Sequence, residues 1–241
     1  MHGRRRILGL TAVAVLVAML ITIAGVLGGD RTSPEAAADG NGALLGTVPL
    51  DAGTRVVIFG DSWTVARGIA PAGHGYAFLI GDALDWVTTI DGASGTGFLN
   101  PGIEGRGDYR TRLAERPVDE DVDLVVLQGG LNDRSQDMDA LPGAVRETMA
   151  AVQRTYPNAR VVVFGPAPNK LPESKALRQV DYTLASVAAA MGVHYISPVK
   201  EHWITDDNYA AMIDPELKYH PSITGHAYLA EQLAEALRAL Q

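Results

Sequence analysis

From residue 55 onward, short uninterrupted apolar runs alternate with longer segments in which apolar residues recur at helical spacing. Val56-Val57-Ile58-Phe59 and Leu124-Val125-Val126-Leu127 have no polar residue between apolar ones, the pattern of strands buried on both faces. Arg160–Phe164 repeats it, and Val87–Ile90 and Val193–Ile196 supply a second and a fifth candidate strand in chain order. Helical spacing marks Tyr76–Trp86, Leu141–Tyr156, Ser174–Met191 and Thr224–Leu240; Pro142 fits a first turn, and Thr224 is a plausible N-cap. Asn100–Arg116 is rich in glycine and charge and reads as a long surface loop with room for one helical turn. Five strands separated by helices predict a parallel sheet covered on both faces through right-handed crossovers. The expected architecture is a single three-layer α/β domain on a flavodoxin-like sheet, spanning 43–241.

The N-terminus follows a different pattern. Arg4-Arg5-Arg6 closes a basic segment, 1–6, and precedes an uncharged apolar run from Ile7 to Leu27. As a helix this run would be roughly 31 Å long, enough to cross a bilayer and longer than the roughly 7 to 15 apolar residues of a secretory signal. It is expected to be a signal anchor with the arginines held in the cytoplasm, or a cleaved signal using the small residues Ala36-Ala37-Ala38. Either form makes the rest of the chain exported, and the anchor makes the membrane a partner. Gly28–Gly42 reads as a linker.

Composition narrows the chemistry. The 241-residue chain has a formal charge of −8 and no Lys/Arg cluster beyond the extreme N-terminus, which argues against a nucleic-acid partner. Cysteine is absent, so thiol nucleophiles, zinc-thiolate sites and disulfides are excluded. No metal or cofactor is called for.

The ends of the first three strands carry small polar residues beside glycine: Gly60-Asp61-Ser62, Ser94-Gly95 and Gly130-Leu131-Asn132-Asp133. In a parallel sheet these ends lie along one edge, where open α/β sheets bind ligands. A serine hydroxyl is a weak nucleophile until a base takes its proton, and imidazole is the usual base at neutral pH. Of six histidines, His220 stands out, in a loop before the last helix with Pro221 fixing the backbone behind it. His194 falls within a strand, and His226 falls early in a helix as a capping or packing residue.

Gly60-Asp61-Ser62, Gly95, Gly130-Leu131-Asn132-Asp133 and His220-Pro221, in this order on these elements, resemble the four motif blocks of the SGNH hydrolases, also called GDSL esterases and lipases. The resemblance covers roughly Arg55 to the C-terminus. It implies an esterase or deacylase acting on acyl esters, with Ser62 as nucleophile and His220 as base. The backbone N–H groups of Ser62 and Gly95 and the side-chain amide of Asn132 would form the oxyanion hole. The chain departs from the family three residues before the histidine, where Leu217 replaces the usual aspartate. Asp214 is the expected substitute, with a backbone carbonyl or water as the alternative support for the ring.

Trp63, Phe98 and Trp203 are expected to line the substrate cleft, where they would suit an acyl chain or a sugar face. The exported address suggests an O-acylated glycan, glycolipid or lipid ester. Two other functions fit the same sequence: an acyltransferase passing the acyl group to a glycan or glycolipid hydroxyl, and a non-catalytic envelope binding module on the same sheet.

Overall fold

The computed structural model describes residues 46–241. The basic segment, the apolar run and the linker expected at 1–42 lie outside the described residues. Among the described residues no helix is long and apolar enough to cross a membrane.

Five strands, β1 (Arg55–Gly60), β2 (Val87–Gly92), β3 (Leu124–Gln128), β4 (Arg160–Phe164) and β5 (His194–Ile196), form one parallel sheet in the order β2-β1-β3-β4-β5. The chain steps outward from β1 to β2 and then crosses back to β3. The strand order therefore reverses between β1 and β3, and the crevice above their C-terminal ends is the place such sheets offer a ligand.

The uninterrupted apolar strands are explained by two cores. Because side chains alternate faces, Val56, Ile58, Leu124, Val126, Val162 and Phe164 point to one side. They pack there on helices α1 (Tyr76–Ala83) and, near the C-terminus, Ile223–Arg238. Val57, Phe59, Val125, Leu127, Val161 and Val163 point to the other side, against α2 (Tyr109–Ala114), α3 (Leu141–Thr155) and α4 (Lys175–Ala190). A polar residue at any of these positions would be stranded in one core or the other. β2 is the exception that fits the same rule: it is an edge strand, so Thr88 and Thr89 are tolerated and Val87 is exposed.

The chain departs from expectation in three places. The stretch read as a surface loop contains α2, whose start is capped by the Asp108 carboxylate accepting from Thr111 N–H, and it buries Tyr109, Arg112 and Leu113. Its charge concealed it, because Arg112 is turned inward. The C-terminal helix is capped by Ser222, whose hydroxyl accepts from Gly225 N–H at 2.9 Å, rather than by Thr224. Before it lie a short helix α5 (Tyr209–Met212) and a two-stranded antiparallel excursion, β6 (Ile213–Asp214) with β7 (His220–Pro221). The helix Ile223–Arg238 is thus α6.

Candidate active site

The end of β1 forms a shelf. A side chain at Gly60 would collide with the Thr64 hydroxyl and come within 2.6 Å of Gln128 Oε1, so only glycine lets the chain turn here. Trp63 N–H then donates to Asp61 Oδ1 at 2.8 Å, closing the turn on which Ser62 sits. Asp61 is fully buried, and burial pushes its pKa up to about 7 against the opposing pull of the Trp63 N–H.

The loop after β2 is held over this shelf by two buried charges. Asp133 accepts from the N–H groups of Phe98 (3.0 Å), Leu99 (2.8 Å) and Asn100 (3.0 Å), tying the third motif to the second. Burial raises its pKa in spite of those three donors. From the other side Arg112 donates to Gly60 O (2.8 Å), Thr96 Oγ1 (2.9 Å) and Asp91 (Oδ1 2.7 Å, backbone O 2.9 Å), with its guanidinium 4.1 Å from the centre of the Phe59 ring. One side chain thereby fixes the ends of β1 and β2 and the loop after β2. Gly95 lies in the loop after β2 at φ +79°, a left-handed conformation that glycine adopts without strain, and it lines the cleft. Neither the Ser62 nor the Gly95 N–H finds an acceptor among the described residues.

The histidine arrives on the β6–β7 excursion. His220 Nε2 lies 2.8 Å from Ser62 Oγ, and Nδ1 lies 2.7 Å from the carbonyl oxygen of Leu217. A carbonyl can only accept, so Nδ1 carries the ring proton and donates it to Leu217. Nε2 is then the free lone pair, and Ser62 Oγ–H donates to it. Burial holds the His220 pKa below its ordinary value; the Leu217 hydrogen bond opposes this, and the charge of Arg67 adds to it. The tight turn that aims the Leu217 carbonyl at the ring places Lys218 (φ 56°) and Tyr219 (φ 60°) in the left-handed region, a strained arrangement for two non-glycine residues.

Asp214 does not support the ring. Its Oδ1 accepts from Glu216 N–H at 2.8 Å in a local turn across Pro215, and no hydrogen bond joins its carboxylate to the imidazole, although the β6–β7 register sets Asp214 opposite His220. The expected aspartate contact is replaced by the backbone contact that was its alternative. Asn132 lines the cleft, and its amide nitrogen already donates to Thr96 O (2.9 Å) and to Asp61 Oδ2 (3.2 Å).

Of the three aromatics expected at the substrate, Trp63 borders the cleft, together with Ser62, Gly95, Asn132 and His220, and Tyr219 borders it as well. Phe98 is 1% exposed and packs on Tyr109 at 5.1 Å between ring centres, inside the second core. Trp203 is 5% exposed and packs on Phe164 in the first core, away from the cleft. Both were expected at the substrate from their place along the chain, Phe98 after the oxyanion loop and Trp203 before the histidine. Their bulk and apolarity drew them into the core instead. Asp133 and Arg112 had no assigned place in the sequence reading: Asp133 sits in a motif block, and nothing local marks Arg112. Among the described residues no cluster of three or more histidines and carboxylates is set to hold a metal ion.

Residues 58–228 match the GDSL-like lipase/acylhydrolase family. A GDSL lipase of Mycobacterium tuberculosis is 26% identical over 192 residues, covering 74% of this chain and 79% of its own. Among solved structures the fold is similar to an aryl esterase of M. smegmatis (18% identity, 78% of this chain and 100% of that one, TM-score 0.57). It is similar also to Est24, a carbohydrate acetylesterase of Sinorhizobium meliloti (18%, 78% and 100%, TM-score 0.58). A family two carbohydrate esterase of Clostridium thermocellum, solved with cellohexaose, is similar over 79% of this chain and 65% of its own (18%, TM-score 0.61).

Proposed function

The chain belongs to the GDSL-like lipase/acylhydrolase family and is a carboxylic ester hydrolase of the SGNH type, and we propose that it hydrolyses O-acyl esters through an acyl-Ser62 intermediate. The observation that carries this mechanism is the chain of contacts Ser62 Oγ to His220 Nε2 to Leu217 carbonyl, at 2.8 and 2.7 Å.

Ser62 Oγ bonds to the ester carbonyl carbon while its proton passes to His220 Nε2, and the carbonyl oxygen becomes an oxyanion. The unpartnered N–H groups of Ser62 and Gly95 are the donors that this oxyanion meets. Asn132 joins them by exchanging its longer bond, to Asp61 Oδ2, for the oxyanion. The bond to the alcohol oxygen then breaks, and that oxygen leaves with the proton from Nε2. Water attacks the acyl-serine with Nε2 again taking the proton and returning it to Ser62 Oγ, which frees the carboxylic acid. During each step the imidazole is briefly charged, and the Leu217 carbonyl dipole supports that charge and holds the tautomer, the work an aspartate does in a triad.

A fluorophosphonate probe followed by digestion is expected to label the peptide containing Ser62, and label elsewhere overturns the nucleophile assignment. Running p-nitrophenyl esters of increasing acyl length with and without a carbohydrate acceptor separates hydrolysis from transfer: acid release independent of acceptor supports the hydrolase. We also propose that the enzyme is exported, supported by Arg4-Arg5-Arg6 ahead of the Ile7–Leu27 run. A reporter fused after Leu50 is expected to be active outside the cytoplasm, and a cytoplasmic signal refutes it.

A further inference from the structure

The protein is acidic overall, yet its catalytic cleft is basic. The cleft above Ser62, about 230 Å³, is bordered by Arg67, Arg134 and Lys218 and, among the described residues, by no carboxylate. It is small for a ligand site, since such pockets run from about 300 Å³ upward. A second cavity of about 320 Å³ adjoins it through Arg67 and Ile103, and adds Arg106 and again no carboxylate among the described residues. Lys170 stands nearby, 4.1 Å over the ring of Tyr219. Two other hollows of the described surface carry carboxylates instead, one bordered by Asp108, Arg110 and Glu147 and the other by Glu201 and Glu235. Five arginines away from the cleft, Arg55, Arg110, Arg112, Arg116 and Arg178, each pair with a carboxylate, whereas Arg146, Arg154, Arg160 and Arg238 are scattered over other elements and border neither cavity. Among the described ion pairs none involves Arg67, Arg134 or Lys218.

Unpaired like charges around one cleft repel each other and are relieved by a counter-charge, which the substrate can bring. The position of Arg67 and Lys218 says which end of the substrate brings it. Lys218 belongs to the turn between Leu217 and His220, and Gly68, next to Arg67, packs against the Leu217 side chain, so both cations border the cleft on the His220 side. The leaving alcohol collects its proton from His220 Nε2 and must lie on that side too.

Building on the esterase reading, we infer that the alcohol portion of the substrate carries an anionic group, a carboxylate or a phosphate, held by Arg67 and Lys218. The guanidinium fork of Arg67 suits either anion. Arg106 and Arg134 extend the same field along the two cavities, so an acylated acidic glycan or a phosphorylated alcohol presents the required chemistry.

The test uses four acetate esters with a meta substituent on the phenol: 3-acetoxybenzoate, 3-acetoxyphenyl phosphate, neutral 3-acetoxybenzamide, and cationic 3-acetoxyphenyltrimethylammonium. Each kcat/KM is divided by the hydroxide rate of the same ester to remove leaving-group chemistry. At low salt at least one anionic ester is expected to exceed the amide by about tenfold or more, with the cation lowest, and the ratio is expected to shrink as salt is added. Whichever anion leads names the group. The double variant Arg67→Gln, Lys218→Gln is expected to bring the ratio close to one, and Arg67→Lys to retain most of it. Equal rates for anionic and neutral esters, or a ratio untouched by the double variant, overturn the anion assignment while leaving the esterase standing. If none of the four is cleaved and the fluorophosphonate probe also fails at Ser62, the esterase reading falls and takes this one with it.

Discussion

The proposed nucleophile and its proposed base stand on two unlike structures. Ser62 sits on a shelf formed by the ends of β1, β2 and β3, where Arg112, Asp133 and Asp61 are buried and hydrogen-bonded to backbone from several segments. His220 sits on an excursion of two two-residue strands, closed by a strained turn and bordered by exposed residues. In the proposed mechanism the shelf carries the groups that must not move relative to an oxyanion. The excursion needs only to present one nitrogen at the right distance, so a short strap with a backbone contact is sufficient. Precision is built into the sheet, and reach is built onto it.

The largest effect should come where the two meet. Ser62→Ala and His220→Ala are each expected to lower kcat by about 10⁴-fold or more, and the double variant by no more than the worse single, because the pair acts as one unit. Additive losses, measured on the esters that the wild type cleaves, would separate the shelf from the strap and break the comparison. Next comes the shelf itself: Arg112→Met leaves Asp91 and the Gly60 carbonyl short of a donor, and unfolding in urea is expected to show a loss of about 3 kcal/mol, at the low end for a broken buried pair because Arg116 still reaches Asp91 at 2.7 Å.

A third measurement sets the two regions against each other through pH. The shelf holds acids whose pKa burial raises, Asp61 from 3.8 to about 7 and Asp133 in the same direction. The folded shelf therefore binds more protons than the unfolded chain, and its contribution to stability falls as pH rises from about 3.8 to 7. The strap and the helix behind it hold histidines whose pKa burial lowers, His226 from 6.5 to about 4 and His220 in the same direction. Folded, they bind fewer protons, and their contribution grows as pH rises from about 4 to 6.5. The opposing slopes offset each other in that window. Asp61→Asn removes one of them, so stability measured at intervals from pH 4.5 to 6.5 is expected to rise more steeply with pH than in the wild type, by up to about 1.4 kcal/mol per unit. An unchanged slope would mean that Asp61 titrates as it does in the unfolded chain.

The smallest effect is expected at Asp214. Since its carboxylate serves only the turn at Glu216, Asp214→Asn should leave kcat within about threefold of wild type, whereas a carboxylate in a working triad costs about 10⁴-fold when made an amide. A loss approaching the larger figure would return Asp214 to the ring during turnover.

The same division explains what could be read in advance. The five sheet strands, the four long helices and the Ser62, Gly95 and Asn132 positions were legible because they depend on local pattern: apolar runs fed to two cores, and glycines beside small polar residues at strand ends. Arg112 was not, because a buried arginine has the same letter as an exposed one and its partners, Gly60 and Asp91, are distant in sequence. Phe98 and Trp203 were misplaced for the converse reason, since proximity to a motif along the chain says nothing of which way a ring points. The cationic rim was hidden by arithmetic: Arg67, Arg134 and Lys218 are scattered in sequence and disappear into a total of −8.

The contact from His220 to the Leu217 carbonyl has a consequence for heredity. An aspartate in that role can be lost by one codon change, but a carbonyl belongs to every amino acid, so side-chain replacements at residue 217 leave the acceptor in place and only the path of the chain can remove it. Selection on this function therefore acts on the bend, at Lys218 and Tyr219, rather than on the residue that makes the contact. Glycine at 218 or 219 would ease the bend at the expense of its stiffness, and proline, fixed at negative φ, would abolish it.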